Sequence, residues 1–367
     1  MIKYCISCVL PDTRPHLTIS EDGICNACKL HKVKKKSKNW LKQKEKLKKI
    51  FNRVKNKNNY DCVIPVSGGK DSTWQVIECL KYNLTPLAVT WRSPGRNNIG
   101  KKNLENLISL GVDHIDFSIN PKVEAYFMLK TLKIKGSTAI SMHFFIYNIP
   151  RMIAEKFNIP LVIWGENSAS EYGYDKKKDL NTTMNKEWLN TYAPTNNTDL
   201  NFWKDKFLNK KKLFSLNHKN NPKVKSIFLG DYLKWDPQKS LKFAKKNGFV
   251  FPKKPKTGYY NFADIDCDFI SIHHYIKWLK FGFTRLFDNL SIEIRNNRMT
   301  RKEAIKIIKK YSKKIKPEDD IKKFCKFTKI KLNEFDEIVE KFRNKKIWKK
   351  HKNKWYIKDF ITKGFNW

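Results

Sequence analysis

Val63-Ile64-Pro65-Val66-Ser67-Gly68-Gly69-Lys70-Asp71-Ser72-Thr73 runs from a short apolar strand through a paired-glycine hinge into a predicted helix. Two glycines let the backbone approach phosphate oxygens with no side chain in between. The free N–H groups of a helix start add donors at its positive dipole end. The stretch is suited to holding pyrophosphate. It is not a Walker A loop, which requires glycine where Ile64 stands and Ser or Thr directly after the lysine, where this chain has Asp71. A plain glycine turn between strand and helix is the alternative reading of the same residues.

Outward from this loop the pattern alternates. Strands are predicted over Cys62 to Val66, Pro86 to Trp91, His114 to Ser118 and Leu161 to Trp164. Helices are predicted over Ser72 to Lys81, Lys101 to Leu110 and Thr138 to Phe157. Repeated strand-helix-strand units imply right-handed crossovers and an α/β, doubly wound parallel sheet. Ligands of such sheets sit beyond the carboxyl ends of the strands. Three segments therefore converge on one crevice: Ser67 to Thr73, Thr90-Trp91-Arg92 and Gly165-Glu166-Asn167. Carboxylates there would hold Mg2+ against bound phosphates, with Asp71 as one expected ligand and Glu171 or Glu166 as the other. A polar surface turn is the alternative for the segment that carries the two glutamates.

Cys5-Ile6-Ser7-Cys8 and Cys25-Asn26-Ala27-Cys28 are two Cys-x-x-Cys knuckles separated by 16 residues, a spacing suited to a tetrahedral four-thiolate zinc site. Pro11, Asp12, Pro15 and Asp22-Gly23 supply the turns that return the chain for the second pair. A redox or iron-sulfur role is the competing reading. Cys62 and Cys79 fall in apolar patterns and read as core residues.

The 367 residues carry a formal net charge of +41, which invites a nucleic-acid reading. Lysine, however, is spread along the whole chain and arginine is scarce, unlike a concentrated phosphate-reading face. No nucleic-acid partner is expected. The densest run, Lys32 to Lys57, reads as a solvated amphipathic helix with Trp40, Leu41, Leu47, Ile50, Phe51 and Val54 inward. No apolar stretch approaches the ~20 residues of a membrane span, and the N-terminus lacks a signal-peptide core. A cytoplasmic location is expected.

The Ser67 to Thr73 loop resembles the SGG-x-DS loop of the N-type ATP pyrophosphatases, also called PP-loop enzymes, which split ATP into AMP and pyrophosphate. With it, Cys5-x-x-Cys8-Val9-Leu10-Pro11-Asp12-Thr13-Arg14-Pro15, Gly23-Ile24-Cys25-Asn26-Ala27-Cys28, Gly165-Glu166-Asn167 and Glu171-Tyr172-Gly173 resemble the N-acetyl sugar amidotransferases. So do Leu229-Gly230-Asp231-Tyr232 with Trp235-Asp236, Lys280-Phe281-Gly282-Phe283-x-Arg285, Ile292-x-Ile294-Arg295 and Arg298-Met299-Thr300-Arg301-x-Glu303-Ala304. The resemblance implies an adenine nucleotide alpha hydrolase-like fold and the cofactors ATP, Mg2+ and Zn2+. By similarity to the NAD synthetases, Glu171 would join Asp71 on magnesium.

The implied reaction turns an acetamido group of a nucleotide-linked or otherwise activated sugar acid into an acetamidino group, in bacterial surface polysaccharide synthesis such as LPS O-antigen. Ammonia would come from a separate glutaminase with a barrel cyclase-like subunit. In this chain no cysteine sits in a glutaminase triad context; His273-His274 near Cys267 is the nearest constellation and reads as a packed helix. Nucleotide contacts are expected from Ser67, Gly68, Gly69, Lys70, Asp71, Ser72, Thr73, Thr90, Trp91, Gly165 and Asn167. Lys70, Asp71, Glu166 and Glu171 are expected to serve the chemistry. A tRNA-thiolating enzyme of the same superfamily is the alternative function.

The organisation expected is a zinc ribbon over 1–35, a linking helix over 36–58, a pyrophosphatase domain over 59–235 and a helical substrate and partner region over 236–367. In the last, Asp268 to Phe287 and Thr300 to Tyr311 show helical spacing, with a capping box at Thr300 and Glu303. Asp264-Ile265-Asp266-Cys267-Asp268 is an acidic cluster suited to sugar hydroxyls, ammonium or metal, or else to charging a helix start.

Overall fold

The computed structural model describes residues 2–174, 183–192, 198–209, 211–213, 223–311, 316–352 and 354–362. After the cysteine knuckles come α1 (Asn26–Ser37) and α2 (Trp40–Val54), then β1 (Cys62–Pro65), α3 (Lys70–Lys81), β2 (Pro86–Trp91), α4 (Asn98–Ile108) and β3 (Asp113–Phe117). Next are α5 (Pro121–Lys135), α6 (Ala139–Lys156), β4 (Leu161–Trp164), α7 (Ser168–Tyr172), α8 (Lys186–Tyr192), α9 (Leu200–Trp203) and β5 (Lys225–Phe228). The remainder holds α10 (Pro237–Lys246), α11 (Ile270–Phe281), α12 (Arg285–Arg295), α13 (Arg301–Tyr311), α14 (Glu318–Thr328), α15 (Leu332–Glu340) and the hairpin strands β6 (Trp348–His351) and β7 (Lys354–Ile357).

The five strands pair in parallel in the order β3-β2-β1-β4-β5. Strand order reverses between β1 and β4, so the loops after these two strands flank the switch point at which such sheets bind ligands. Alternate residues feed opposite cores, as the period of 2 requires. Cys62, Ile64, Leu161 and Ile163 join α2, α3 and α4 on one face. Val63, Val162, Leu87 and Val89 join α5 and α6 on the other, where Phe127 and Phe145 are fully buried and contribute about 1.5–3 kcal/mol each.

β5 and α5 were not among the expected elements. β5 is four residues long, and in α5 apolar residues spread around the helix, which leaves little periodic signal. The expected single helix over Lys32 to Lys57 is two, broken at Lys38-Asn39, with Asn39 capping the second through Lys42 N. Leu47 and Phe51 are inward as expected, whereas Leu41 is 78% exposed, because at 3.6 residues per turn it falls on the opposite side of α2 from Ile50. Cys62 and Cys79 are fully buried in the core.

α10 packs on α3, so the layer covering the sheet extends beyond Trp235. The ribbon is stitched to the C-terminal helices. Thr13 Oγ1 donates to Phe281 O at 2.6 Å, and Arg14 Nε meets Asp288 Oδ1 at 2.9 Å. Among the described residues no helix is long and apolar enough to cross a membrane.

Candidate active site and metal centre

At the switch point a cavity of about 440 Å³ opens between Ser67 to Asp71, Gly165-Glu166 and the segment Phe262 to Cys267. Gly68 has φ +82°, and a Cβ there would lie 2.4 Å from the Leu104 backbone nitrogen. The loop and α4 thus touch backbone to backbone, which only glycine permits. Gly69 is the N-cap of α3 and no side chain caps this helix, which leaves its first-turn donors for a ligand. Ser67 Oγ accepts from Gly69 N at 3.3 Å. The Ser72 and Thr73 hydroxyls turn back onto Gly69 O at 2.9 and 3.0 Å, and of the two only Ser72 lines the cavity.

Lys70 is buried and its Nζ binds Asp71 Oδ2, while Asp71 Oδ1 accepts from Trp235 Nε1 at 2.9 Å. Glu166 lies on the same wall; burial and then the charge of Asp71 push its pKa above the ordinary carboxylate value, with Lys70 opposing. Glu171 is held elsewhere. Its Oε1 is 3.0 Å from Lys34 Nζ of α1 and its carbonyl accepts from Arg295 at 2.8 Å, so it does not line the cavity with Asp71. Glu171 sits on the short helix α7, which turns it toward the ribbon.

Thr90 lines the cavity and locks β2 to β1 by donating to Val66 O at 2.8 Å. Trp91 also lines it, stacked on Phe145 at 5.4 Å and donating to Glu124 at 2.9 Å. Burial pushes the Glu124 carboxyl up to about 8. Gly165 is on the wall, but Asn167 is not: its Nδ2 donates to Asp231 at 2.9 Å and its Oδ1 accepts from Trp188 at 3.2 Å, which ties the loop after β4 to the one after β5. Pro150, inside α6, deprives Ile146 O of its intrahelical donor, and both residues line the cavity. Tyr147, Trp164, Trp188 and Phe228 make the remaining wall aromatic.

The C-terminal region supplies the other side. Asp264 and Asp266 reach the cavity, whereas Asp268 binds Lys256 and Lys323, which against the cost of burial hold it down to about 2. Burial raises Asp264 also, but Arg285 at 3.3 Å and His274 outweigh it and hold the carboxyl well below its usual value. Neither Glu166 nor Asp266 has an ion-pair partner among the described residues. Arg285, which lines this wall, was visible in the sequence only within the family resemblance. His273-His274 lies inside α11, as expected of a packed helix. Cys267 meets Ser93 Oγ at 3.0 Å, and burial pushes its thiol up to about 11.

The four knuckle cysteines come together, their ligand atoms all within 4.8 Å of one another and all buried. A tetrahedron with ~2.3 Å metal–sulfur bonds has sulfur–sulfur edges of about 3.8 Å. Cys8 and Cys25 Sγ are 3.8 Å apart, and backbone N–H groups of Cys8 and Cys25 point at Cys5 Sγ at 3.4 and 3.2 Å. The donor set fits zinc. Arg301 Nε donates to the carbonyls of Cys5 and Cys8 at 3.2 and 2.9 Å, which holds the first knuckle from behind.

The sheet order defines an α/β protein with a doubly wound parallel sheet, to which a four-cysteine ribbon is added. Residues 256–361 match the family model described as LPS biosynthesis protein WbpG-like, C-terminal domain. No curated protein matches the chain. An NMN synthetase from Francisella tularensis aligns at 18% identity with TM-score 0.28, covering 60% of this chain and 100% of its own. An NH3-dependent NAD synthetase from Campylobacter jejuni aligns at 17% identity with TM-score 0.31, covering 59% of this chain and 99% of its own.

Proposed function

We propose that the protein is an ATP-dependent amidotransferase that converts an acetamido group of an activated sugar acid into an acetamidino group in surface-glycan synthesis. The observation that carries this reading is the shared cavity. Its phosphate-holding side is the Ser67 to Asp71 loop, and its opposite side, from Phe262 to Arg285, lies within the region that matches the LPS biosynthesis model.

An amide oxygen is too poor a leaving group for ammonia to displace. The amide oxygen attacks the α-phosphorus of ATP, pyrophosphate departs, and an O-adenylyl imidate remains. Ammonia attacks the imidate carbon, AMP leaves with the former amide oxygen, and a proton is lost from nitrogen, giving the amidine. The α3 start and Lys70 hold the departing pyrophosphate, and the cavity fixes the reactants in line. Asp71 and Glu166 are the residues that would hold Mg2+, which when bound draws charge from the phosphate oxygens. No protein nucleophile is required. By the same resemblance, ammonia is delivered by a glutaminase and a barrel cyclase-like subunit, and the reaction is cytoplasmic.

Thiolation of tRNA finds less support, since Cys267 is the only cysteine among the described residues that line the cavity. The test is incubation of the protein with ATP, ammonium and candidate acetamido sugars, followed by mass spectrometry for exchange of the amide oxygen for NH. AMP and pyrophosphate are the expected products; ADP and phosphate would refute the assignment.

A further inference from the structure

A second cavity, of about 740 Å³, lies behind the acidic wall of the first. Its lining includes Thr257, His274, Tyr275 and Thr284, with Tyr259 and Tyr311, 37% and 59% exposed, among the residues that bound it. Asp264 joins the linings of the two cavities. Asp264 faces the first cavity, and from the second Thr257 Oγ1 donates to Asp264 Oδ2 at 2.8 Å, while His274 Nε2 lies 3.3 Å from the same oxygen. His274 Nδ1 is buried and meets no hydrogen-bond partner among the described residues. A buried, unpaired ring nitrogen is costly to maintain and asks for an occupant.

Resting on the amidotransferase reading above, we propose that the second cavity is the entry chamber for free ammonia and that His274 passes the molecule past Asp264 to the reacting carbon.

The chemistry around Asp264 suits a small neutral donor. Burial lowers the pKa of His274, and of the charged groups that face it Asp264 opposes this while Lys277 and Arg285 reinforce it. His273, its neighbour on α11, is likewise pushed down by burial, so the pair presents uncharged rings. A neutral imidazole has one ring nitrogen free to accept an N–H. Ammonia has three N–H bonds to offer, and Asp264, kept ionised by Arg285, is the next acceptor along the path.

The test uses the full chain and separates two steps. Acceptor-dependent pyrophosphate release without ammonia reads adenylation, and amidine formation against ammonium chloride concentration reads delivery. His274→Asn should raise the apparent KM for ammonium about tenfold and leave pyrophosphate release within twofold of wild type. Thr257→Val, nearly isosteric, should shift the same KM in the same direction by a smaller factor, and serves if the histidine variant does not fold. Equal loss of both steps, or an unchanged KM in both variants, would overturn the inference. Wild-type protein that releases no pyrophosphate with any acetamido sugar fails before ammonia is added. That result sinks the amidotransferase reading, and this inference with it.

Discussion

Two buried clusters of charge lie close together in this protein and are built on opposite plans. At the seam between ribbon and C-terminal helices, Asp288 is answered by Arg14 at 2.9 Å and Lys277 at 2.7 Å. Burial alone would raise its pKa, but those cations hold it well below the usual carboxylate value. In the cavity, Glu166 and Asp266 have no such answer, and both are pushed up by burial with a neighbouring acid adding to it. Asp288 is thus held by cations of the fold, whereas Glu166 and Asp266 keep a charge deficit on a cavity wall. Asp71, which lines the same cavity and pairs with Lys70, stands between the two plans.

The largest effect is expected on the scaffold side. Cys8→Ser should release bound zinc and cost several kcal/mol of stability, because metal binding and ribbon folding are one equilibrium. Metal analysis of protein purified without chelator, alongside thermal melting, checks both, and zinc-free wild-type protein would remove the centre altogether. Asp288→Ala removes a buried carboxylate from two part-buried cations and should cost about 3 kcal/mol in denaturant melts. On the site side, Asp71→Asn should lower turnover tenfold or more, about 1.4 kcal/mol of barrier, with no loss of melting temperature. A parallel loss of stability there would erase the distinction between the clusters.

Glu124 gives a subtler probe, since its folded-state pKa is raised by burial to about 8. Between the ~4.3 of an unfolded glutamate and that value, the folded protein keeps a proton that the unfolded chain has lost. Stability therefore falls as pH rises through this window and levels off above it. Glu124→Gln, which keeps an acceptor for Trp91, should be neutral near pH 4 and stabilising by a few kcal/mol at pH 8. Smallest of all, Glu171→Gln should cost about 0.5 kcal/mol and leave turnover within twofold, since its partly exposed pair with Lys34 lies off the cavity. A tenfold fall in turnover would instead return Glu171 to the metal.

Much of the sheet was legible because its strands are short runs of Val, Ile and Leu between clear breaks, as at Cys62 to Val66 and Leu161 to Trp164. β3 shifts by one residue, to Asp113–Phe117, and β5 is too brief to announce itself. The Ser67 to Thr73 loop was legible for a different reason, since paired glycines and a helix start are backbone features written directly in the sequence. Thr73 and Asn167 were expected at the ligand and instead spend their polar groups on Gly69 and on Asp231 with Trp188. Spacing along a chain could not choose between Glu166 and Glu171, because the choice is made by α7 and by a lysine 137 residues away. Asp264 and Asp266 stood out as acidic residues in a basic chain, yet their companion Asp268, two positions on, is consumed by Lys256 and Lys323.

The loop after β4 leans on the ribbon at several points: Lys34 on Glu171, Asn26 Nδ2 on Tyr174 O at 2.7 Å, and Arg14 on Tyr172 O at 3.0 Å. Arg301, gripping the backs of Cys5 and Cys8, closes that bracket from the far end of the chain. Loosening the four-cysteine end would therefore leave the Ser67 to Asp71 loop untouched and strip the supports from the segment that follows Glu166.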